Sequence, residues 1–390
     1  MVRRRVGIVV NGVTGRMGYR QHLTRSLLAL RDEGGVLLAD GSYAVPEPIL
    51  VGRNAAKLEA IAQRHGIERW TTDLSEALAD ERDEIYFDAQ VTEARAGAVK
   101  TAIAAGKHIY AEKPLSETVE AALDLAHLAK QSGVRNGVVQ DKLFLPGIVK
   151  LRRLLDSGFF GQVLSVRGEF GYWVFEGDLQ PSQRPSWNYR AEDGGGITLD
   201  MFCHWSYLLE HLFAPVNAVT AVTRTHIPQR WDESGRAYQA TADDAAYGIF
   251  ELADGTIAQV NSSWATRVNR DELVEFLVDG TQGSAVAGLH RCKVQPRAVT
   301  PMAAWDPDNP VTESFRDQWQ QVPDGVAVDN AFKAQWVLFL KHVCEDAPFP
   351  YDFLSAARGV QLAEAGLRSS AEGRRVEVPA LDTTSGGAGR

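Results

Sequence analysis

The chain has 390 residues, enough for two domains of ordinary size. Its 45% hydrophobic and 23% charged content is that of a globular protein, no apolar run reaches the ~18 residues of a membrane span, and a net charge of −9 argues against a nucleic-acid surface. Cys203, Cys292 and Cys344 are an odd and scattered set, which predicts reduced thiols, a cytoplasmic location and no metal cluster.

The basic start, Met1-Val2-Arg3-Arg4-Arg5-Val6, runs into a glycine-containing loop with no apolar h-region, so no signal peptide is expected. Residues 6–10 read as a central parallel strand. Asn11-Gly12-Val13-Thr14-Gly15-Arg16-Met17-Gly18 follows, and then a helical run to about residue 30. Strand, glycine loop and helix in this order form a phosphate-binding device. The glycines let the backbone approach a pyrophosphate, and the helix N-terminus offers free N–H groups and partial positive charge. Gly12, Thr14, Gly15, Arg16, Met17 and Gly18 are therefore candidate dinucleotide ligands, although the spacing is G-x-x-G-x-x-G and not G-x-G-x-x-G.

Residues 33–47 read as an insertion before the second strand, 48–51, which ends in Gly52-Arg53-Asn54. No acid stands there to accept from an adenosine ribose. Arg53, with Asn54 beside it, could pair with the 2′-phosphate of NADP, or could be a solvated arginine starting the next helix. The alternation continues with a helix over 55–65, a strand over 85–89, a helix over 95–105 and a strand over 107–111. A helix over 117–131 and a strand over 134–139 complete a doubly wound parallel sheet. Glu112-Lys113-Pro114 follows the 107–111 strand. A proline cannot continue the ladder, so it forces a turn that holds Lys113 at the carboxyl end of the sheet, where such folds bind ligands.

From about residue 141 the pattern changes. A helix over 146–157 leads to strands over 163–175, 218–225, 245–252, 256–264 and 272–278, with an Asp254-Gly255 hairpin turn. Strands without intervening helices predict an open, largely antiparallel sheet in an α+β domain. Residues 305–324 read as a long loop, 330–344 and 353–369 as helices. The domains expected are 1–140 and 141–378, with a loose tail over 379–390. Asp193-Gly194-Gly195-Gly196 reads as a flexible lead into a helix running to about 212, on which Asp200 and His204 are four apart and share a face. A carboxylate beside an imidazole can orient it for general-base work; the plain alternative is a local pair that supports the helix.

The N-terminal glycine loop, Glu112-Lys113-Pro114, and Gly195-Gly196 followed by Asp200 and His204 together resemble the Gfo/Idh/MocA oxidoreductases, named for glucose-fructose oxidoreductase and inositol dehydrogenase. The junction over 154–163 is similar to the family's approach to its second domain, while the glycine spacing is more like that of dihydrodipicolinate reductase. The resemblance covers about 6–378. It implies a Rossmann domain plus a domain on an open antiparallel sheet, NAD or NADP as cofactor, and a sugar or polyol substrate. It also implies a homodimer or homotetramer through the sheet face. By the same resemblance Lys113, Asp200 and His204 are the catalytic group, with His204 as the base, and the Lys113–Pro114 bond is often cis.

Trp173, Trp187, Asn188, Tyr189 and Arg190 lie on or near the segment leading to the glycines and could contact a sugar, though tryptophans more often pack cores. Residues 178–190 could form a lid. Lys142 could reach the pocket or be solvated. Two other activities stay open: redox-neutral sugar chemistry through transient oxidation, and non-catalytic sensing of nucleotide or sugar.

Overall fold

The strand Arg3–Asn11 is the centre of a seven-stranded sheet in the computed structural model, which describes residues 2–303, 306, 308–309, 314–325 and 330–381. Its inner residues Val6, Ile8, Val9 and Val10 are fully buried, as a strand covered on both faces must be. The order across the sheet is Val36–Leu37, Tyr43–Val51, Arg3–Asn11, Asp83–Asp88, His108–Ala111 and Asn136–Val138, with Trp70–Thr71 paired to the far end of Tyr43–Val51. Every pairing is parallel except that of Val36–Leu37.

The expected insertion over 33–47 is part of this sheet. Tyr43–Val51 is one nine-residue strand, and Val36–Leu37 pairs with its first residues. Pro46 and Pro48 disguise it in the sequence. Tyr43 donates its N–H inward to the Val2 carbonyl and Leu50 donates outward to that of Arg69, so even positions face the outer edge. The outer strands pair only with 43–44 and 50–51, so both prolines lie where no ladder bond is available to lose.

The chain divides into two compact units. The first takes the described residues of 1–144 and 329–361, with Leu381; the second takes those of 145–328 and 362–380. This differs from the expected contiguous second domain over 141–378, because the helix Ala331–Glu345 and the first half of Phe353–Glu372 group with the Rossmann sheet. Trp336, Phe339 and Leu340 of the former helix are buried with Phe87 and Tyr110 in one of the first unit's cores.

The second unit is built on a nine-stranded sheet. Its order is Gln320–Gln321, Cys292–Pro296, Gly283–Gly288, Val274–Gly280, Val163–Gly171, Ile257–Ser263, Ala245–Leu252, Val216–Arg224 and Val376–Glu377. Its pairings are antiparallel except that of Val163–Gly171 with Ile257–Ser263. The hairpin at Asp254-Gly255 is present, closed by the Leu252 N–H to the Thr256 carbonyl at 3.0 Å. Strands Gly283–Gly288 and Cys292–Pro296 and the small ribbon Gln229–Trp231/Ala237–Gln239 add to those expected. The helix Ile197–Leu212 lies on the sheet, burying Phe202 against Phe250 and Trp205 against Phe276.

Of the expected loop over 305–324, the described residues are turns and coil ending in Gln320–Gln321; the rest, and residues 382–390 of the expected tail, lie outside the described residues. Among the described residues no helix is long and apolar enough to cross a membrane, and no group of three or more His, Cys, Asp or Glu could hold a metal ion.

Candidate active site

The glycine loop turns directly off the strand Arg3–Asn11. Gly12 has φ +80° and donates its N–H to the Val51 carbonyl at 3.2 Å; a Cβ there would lie 2.7 Å from the Ala89 carbonyl. A Cβ on Gly18 would lie 2.6 Å from the Gly12 carbonyl oxygen, so the first turn of the following helix can close on the loop only without one. That helix, Met17–Leu28, is wound in the wide π form, and no side chain caps its N-terminus at Arg16. Bare glycine backbone at an uncapped helix N-terminus fits a dinucleotide pyrophosphate. Arg16 and Arg53 are exposed. Asn54 caps the helix Ala55–His65, accepting the Lys57 N–H at 3.0 Å.

A buried polar chain ties the neighbouring strand ends together. Asn11 donates its amide to the Tyr86 hydroxyl at 2.9 Å, Tyr86 donates to Asp88 at 2.6 Å, and Arg95 donates from Nε to Asp88 at 3.1 Å. Arg95 reaches on to the Gln90 carbonyl at 2.6 Å and to the Pro114 carbonyl. The carbonyl of the Glu-Lys-Pro turn is thus held by a guanidinium fixed to the next strand. The Lys113–Pro114 peptide is cis.

Glu112 is 7% exposed. Its Oε1 faces His22 Nε2 at 2.8 Å, and its Oε2 accepts the Lys113 backbone N–H at 3.1 Å. Burial by itself raises a carboxyl pKa, but the His22 hydrogen bond and the positive charges of Lys113 and Arg95 hold Glu112 below its ordinary range. Trp336 donates its indole N–H to His22 Nδ1 at 3.0 Å. His22 and Trp336 escaped the sequence reading; the one available signal was a histidine on a largely apolar helix face with Gly18, Leu23 and Leu27. Lys142 follows in the turn Asp141–Phe144, with Nζ 3.6 Å from Asp141 Oδ2.

Asp200 and His204 lie in the second unit, in the first half of the helix Ile197–Leu212. Arg184 donates to Asp200 Oδ2 at 2.8 Å and to the Asn188 side-chain oxygen at 3.0 Å, and its guanidinium lies 4.1 Å from the centre of the Trp264 ring. His204 is buried, and its Nδ1 is 2.6 Å from the Tyr207 hydroxyl.

The helix begins in a tight turn and not in the flexible lead expected from its glycines. The Gly196 N–H is donated to the Asn188 carbonyl at 2.9 Å, and a Cβ on Gly195 would lie 2.5 Å from the Trp187 carbonyl. Asp243 caps the helix from outside its own segment, accepting both the N–H and the hydroxyl of Thr198. Trp187 is half-buried. Tyr189 is 1% exposed, with Arg230 stacked at 3.9 Å and Trp264 packed edge-on, which gives its ring a packing role. Burial pushes the Tyr189 hydroxyl up to about 12.

The structure therefore brings the glycine loop, Glu112 and Lys113 to strand ends of the first unit. In the second it places Asp200 and His204 on one helix, with the Trp187 backbone packed against the glycines at the helix start and Asn188 joined to Asp200 through Arg184. Arg184 and Asp243 are additions that no local spacing announced, while Tyr207, three residues after His204 on the same helix, was available to the sequence reading and missed.

Residues 6–140 match the family model described as "Oxidoreductase family, NAD-binding Rossmann fold", and residues 148–286 match the GFO/IDH/MocA C-terminal domain. The chain is 60% identical over 380 residues to the D-xylose dehydrogenase of Paenarthrobacter nicotinovorans, covering 96% of this chain and 98% of that one. It is 26% identical over 357 residues to the D-apiose dehydrogenase of Paraburkholderia graminis, covering 87% of each. Among solved structures, levoglucosan dehydrogenase in complex with NADH has the same fold. Its TM-score is 0.80 at 21% identity, over 97% of this chain and 100% of that one.

Proposed function

The chain belongs to the Gfo/Idh/MocA family of oxidoreductases, and from that membership we propose that it is an aldopentose dehydrogenase with D-xylose as its preferred substrate. The observation that carries this reading is 60% identity, over nearly the whole length of both chains, to a D-xylose dehydrogenase.

A bound nicotinamide would supply the hydride acceptor for oxidation of the sugar carbon. The protein's part is to hold the reactants and move the proton. Backbone at Gly12, Thr14, Gly15, Arg16, Met17 and Gly18 receives the pyrophosphate, and Glu112 and Lys113 shape the cofactor's reactive end. Lys113 donates a hydrogen bond to the reacting oxygen and stabilises its developing charge; His204 takes the hydroxyl proton; Asp200, held by Arg184, orients the sugar hydroxyl beside it. Lys142 and Trp187 complete the sugar contacts, and Tyr189, packed by Arg230 and Trp264, stiffens the segment that carries Trp187.

Arg53 is exposed just beyond the strand Tyr43–Val51, with no acid beside it, which supports use of NADP as well as NAD. The exposed Val222, Tyr247, Ile249 and Ile257 form an apolar stripe on three adjacent strands, which supports a homodimer or homotetramer through that face.

The test is initial-rate oxidation of D-xylose, L-arabinose, D-ribose, D-apiose, D-glucose, levoglucosan and myo-inositol with NAD+ and NADP+ separately. The highest kcat/KM on D-xylose is expected; a preference for a cyclitol or an anhydrosugar would replace the substrate assignment. Arg53→Ala should lower the NADP+ over NAD+ ratio by roughly tenfold, the value of one charge-assisted phosphate contact.

A further inference from the structure

Three residues far apart in the sequence form one directed hydrogen-bond chain inside the first unit. Trp336, His22 and Glu112 are 0%, 0% and 7% exposed. The direction of the chain follows from chemistry. An indole N–H can only donate, so His22 Nδ1, which receives it at 3.0 Å, carries no proton. A neutral imidazole then has its proton on Nε2, and Nε2 at 2.8 Å from Glu112 Oε1 is the donor. The other carboxylate oxygen, Oε2, is left to accept the Lys113 N–H at 3.1 Å. The ring cannot turn over within this site. Phe87 lies 4.2 Å from its centroid and Phe332 5.1 Å, and a flipped ring would present carbon to both polar partners.

We infer that His22 is a positioning residue of the oxidoreductase reaction: it holds the Glu112 carboxylate in the one orientation that fixes the Lys113 backbone, and through it aims the lysine ammonium. A buried carboxylate is held firmly only when its lone pairs are taken by fixed donors. Glu112 has two, and His22 supplies the one that does not belong to the Glu-Lys-Pro turn itself. The turn is thereby held on two sides. Arg95, on the helix Thr92–Ala104 and anchored to Asp88, grips the Pro114 carbonyl, and His22 grips Glu112 from the glycine-loop helix. Glycine loop and lysine turn are the two parts of the first unit assigned to the dinucleotide. His22 lies one helical turn beyond Gly18, so it is a rigid strut between them. Trp336 fixes the tautomer from the helix Ala331–Glu345.

The inference rests on the reading that Lys113 contacts the reacting oxygen, and the experiment separates the two. His22→Asn keeps an acceptor near the Nδ1 position for Trp336 but falls short of Glu112. His22→Gln can carry a donor to the Nε2 position. Lys113→Ala and the Lys113→Ala/His22→Asn double variant complete the set. All are assayed with the full chain, D-xylose and NAD+, and rates are normalised to cofactor-binding sites titrated by fluorescence, so a misfolded fraction does not register.

His22→Asn is expected to lower kcat roughly 10- to 100-fold, the effect of misplacing a reacting group by about an ångström, with KM for sugar and the cofactor dissociation constant little changed. His22→Gln should recover most of that loss. In the Lys113→Ala background, His22→Asn should add nothing further. An unchanged kcat in His22→Asn, a loss that Gln fails to recover, or a loss that multiplies with that of Lys113→Ala overturns the inference. If Lys113→Ala alone leaves kcat intact, the reading of Lys113 fails first and the role of His22 falls with it.

Discussion

Asp243 caps the helix that carries Asp200 and His204 from a segment more than forty residues downstream, taking both the N–H and the hydroxyl of Thr198 on one carboxylate oxygen. The Ile197 N–H goes to the Asp243 backbone carbonyl at 2.9 Å, so two of the helix's free N–H groups end on this one residue. Glycine at 196 has no side chain with which to cap the helix itself. Asp243→Ala should lower unfolding free energy by about 1–2 kcal/mol, the usual effect of losing an N-cap. It should lower kcat more than it lowers cofactor affinity, because the helix start and not the glycine loop is loosened. Urea denaturation followed by cofactor titration checks both; an unchanged midpoint would remove the cap from the account.

Arg184 has four neighbours worth separating: Asp200, Asn188, the Tyr172 hydroxyl and the face of Trp264. A planar guanidinium can serve all of them and an ammonium cannot. Arg184→Lys is therefore expected to keep the charge beside Asp200 yet lose the stacking and the Asn188 contact, raising KM for the sugar severalfold with a smaller change in kcat. Arg184→Met should destabilise the second unit by roughly 2 kcal/mol, since it leaves Asp200 without this cation. Equal kinetics for the Arg184→Lys variant and the unmodified protein would show that the planar fork is not needed.

The parts of this molecule written in local sequence were legible. Alternating strands and helices, a glycine loop after the first strand and a four-residue Asp200–His204 spacing each depend on neighbours within a few residues. The parts that depend on distant pairing were not. Pro46 and Pro48 argue against a strand until the unpaired edge beside them is known. His22 reads as an ordinary helix residue until Glu112 and Trp336 arrive from positions 90 and 314 residues away. The helix Ala331–Glu345 reads as part of the second domain, because no linear pattern says that Trp336 packs edge-on against Tyr110. Tyr189 is in sequence one of several residues that could contact a sugar, and in the fold its ring is buried and stacked with Arg230.

The acid limb of stability should report on Glu112. Its folded pKa lies below the ordinary 4.5, with the His22 hydrogen bond and nearby cations outweighing burial. A carboxyl whose folded pKa is depressed stabilises the protein fully above the unfolded value. That contribution disappears as pH falls through the folded value. Stability should therefore be flat with respect to this group from pH 7 to about 5 and decline below 4.5. Glu112→Gln should be less stable than the unmodified chain at pH 7, and the gap should narrow steadily toward pH 3. Chemical denaturation at half-unit pH steps gives the difference curve. A gap that stays constant across the range would mean that Glu112 does not titrate differently in the folded state.

Cys292 should be inert in the native protein. It is fully buried on the strand Cys292–Pro296, and burial pushes its thiol up to about 12, so almost none is thiolate at neutral pH. Cys203 is also buried, and burial raises Cys344 as well. None of the three is in a disulfide. An aromatic disulfide reagent at pH 7.5 is thus expected to react slowly with the folded chain, first at the half-buried Cys344, and to release three equivalents at once in denaturant. Rapid native labelling at Cys292, located by peptide mass, would show that the sheet edge around Gln320–Gln321 opens on the timescale of the reagent.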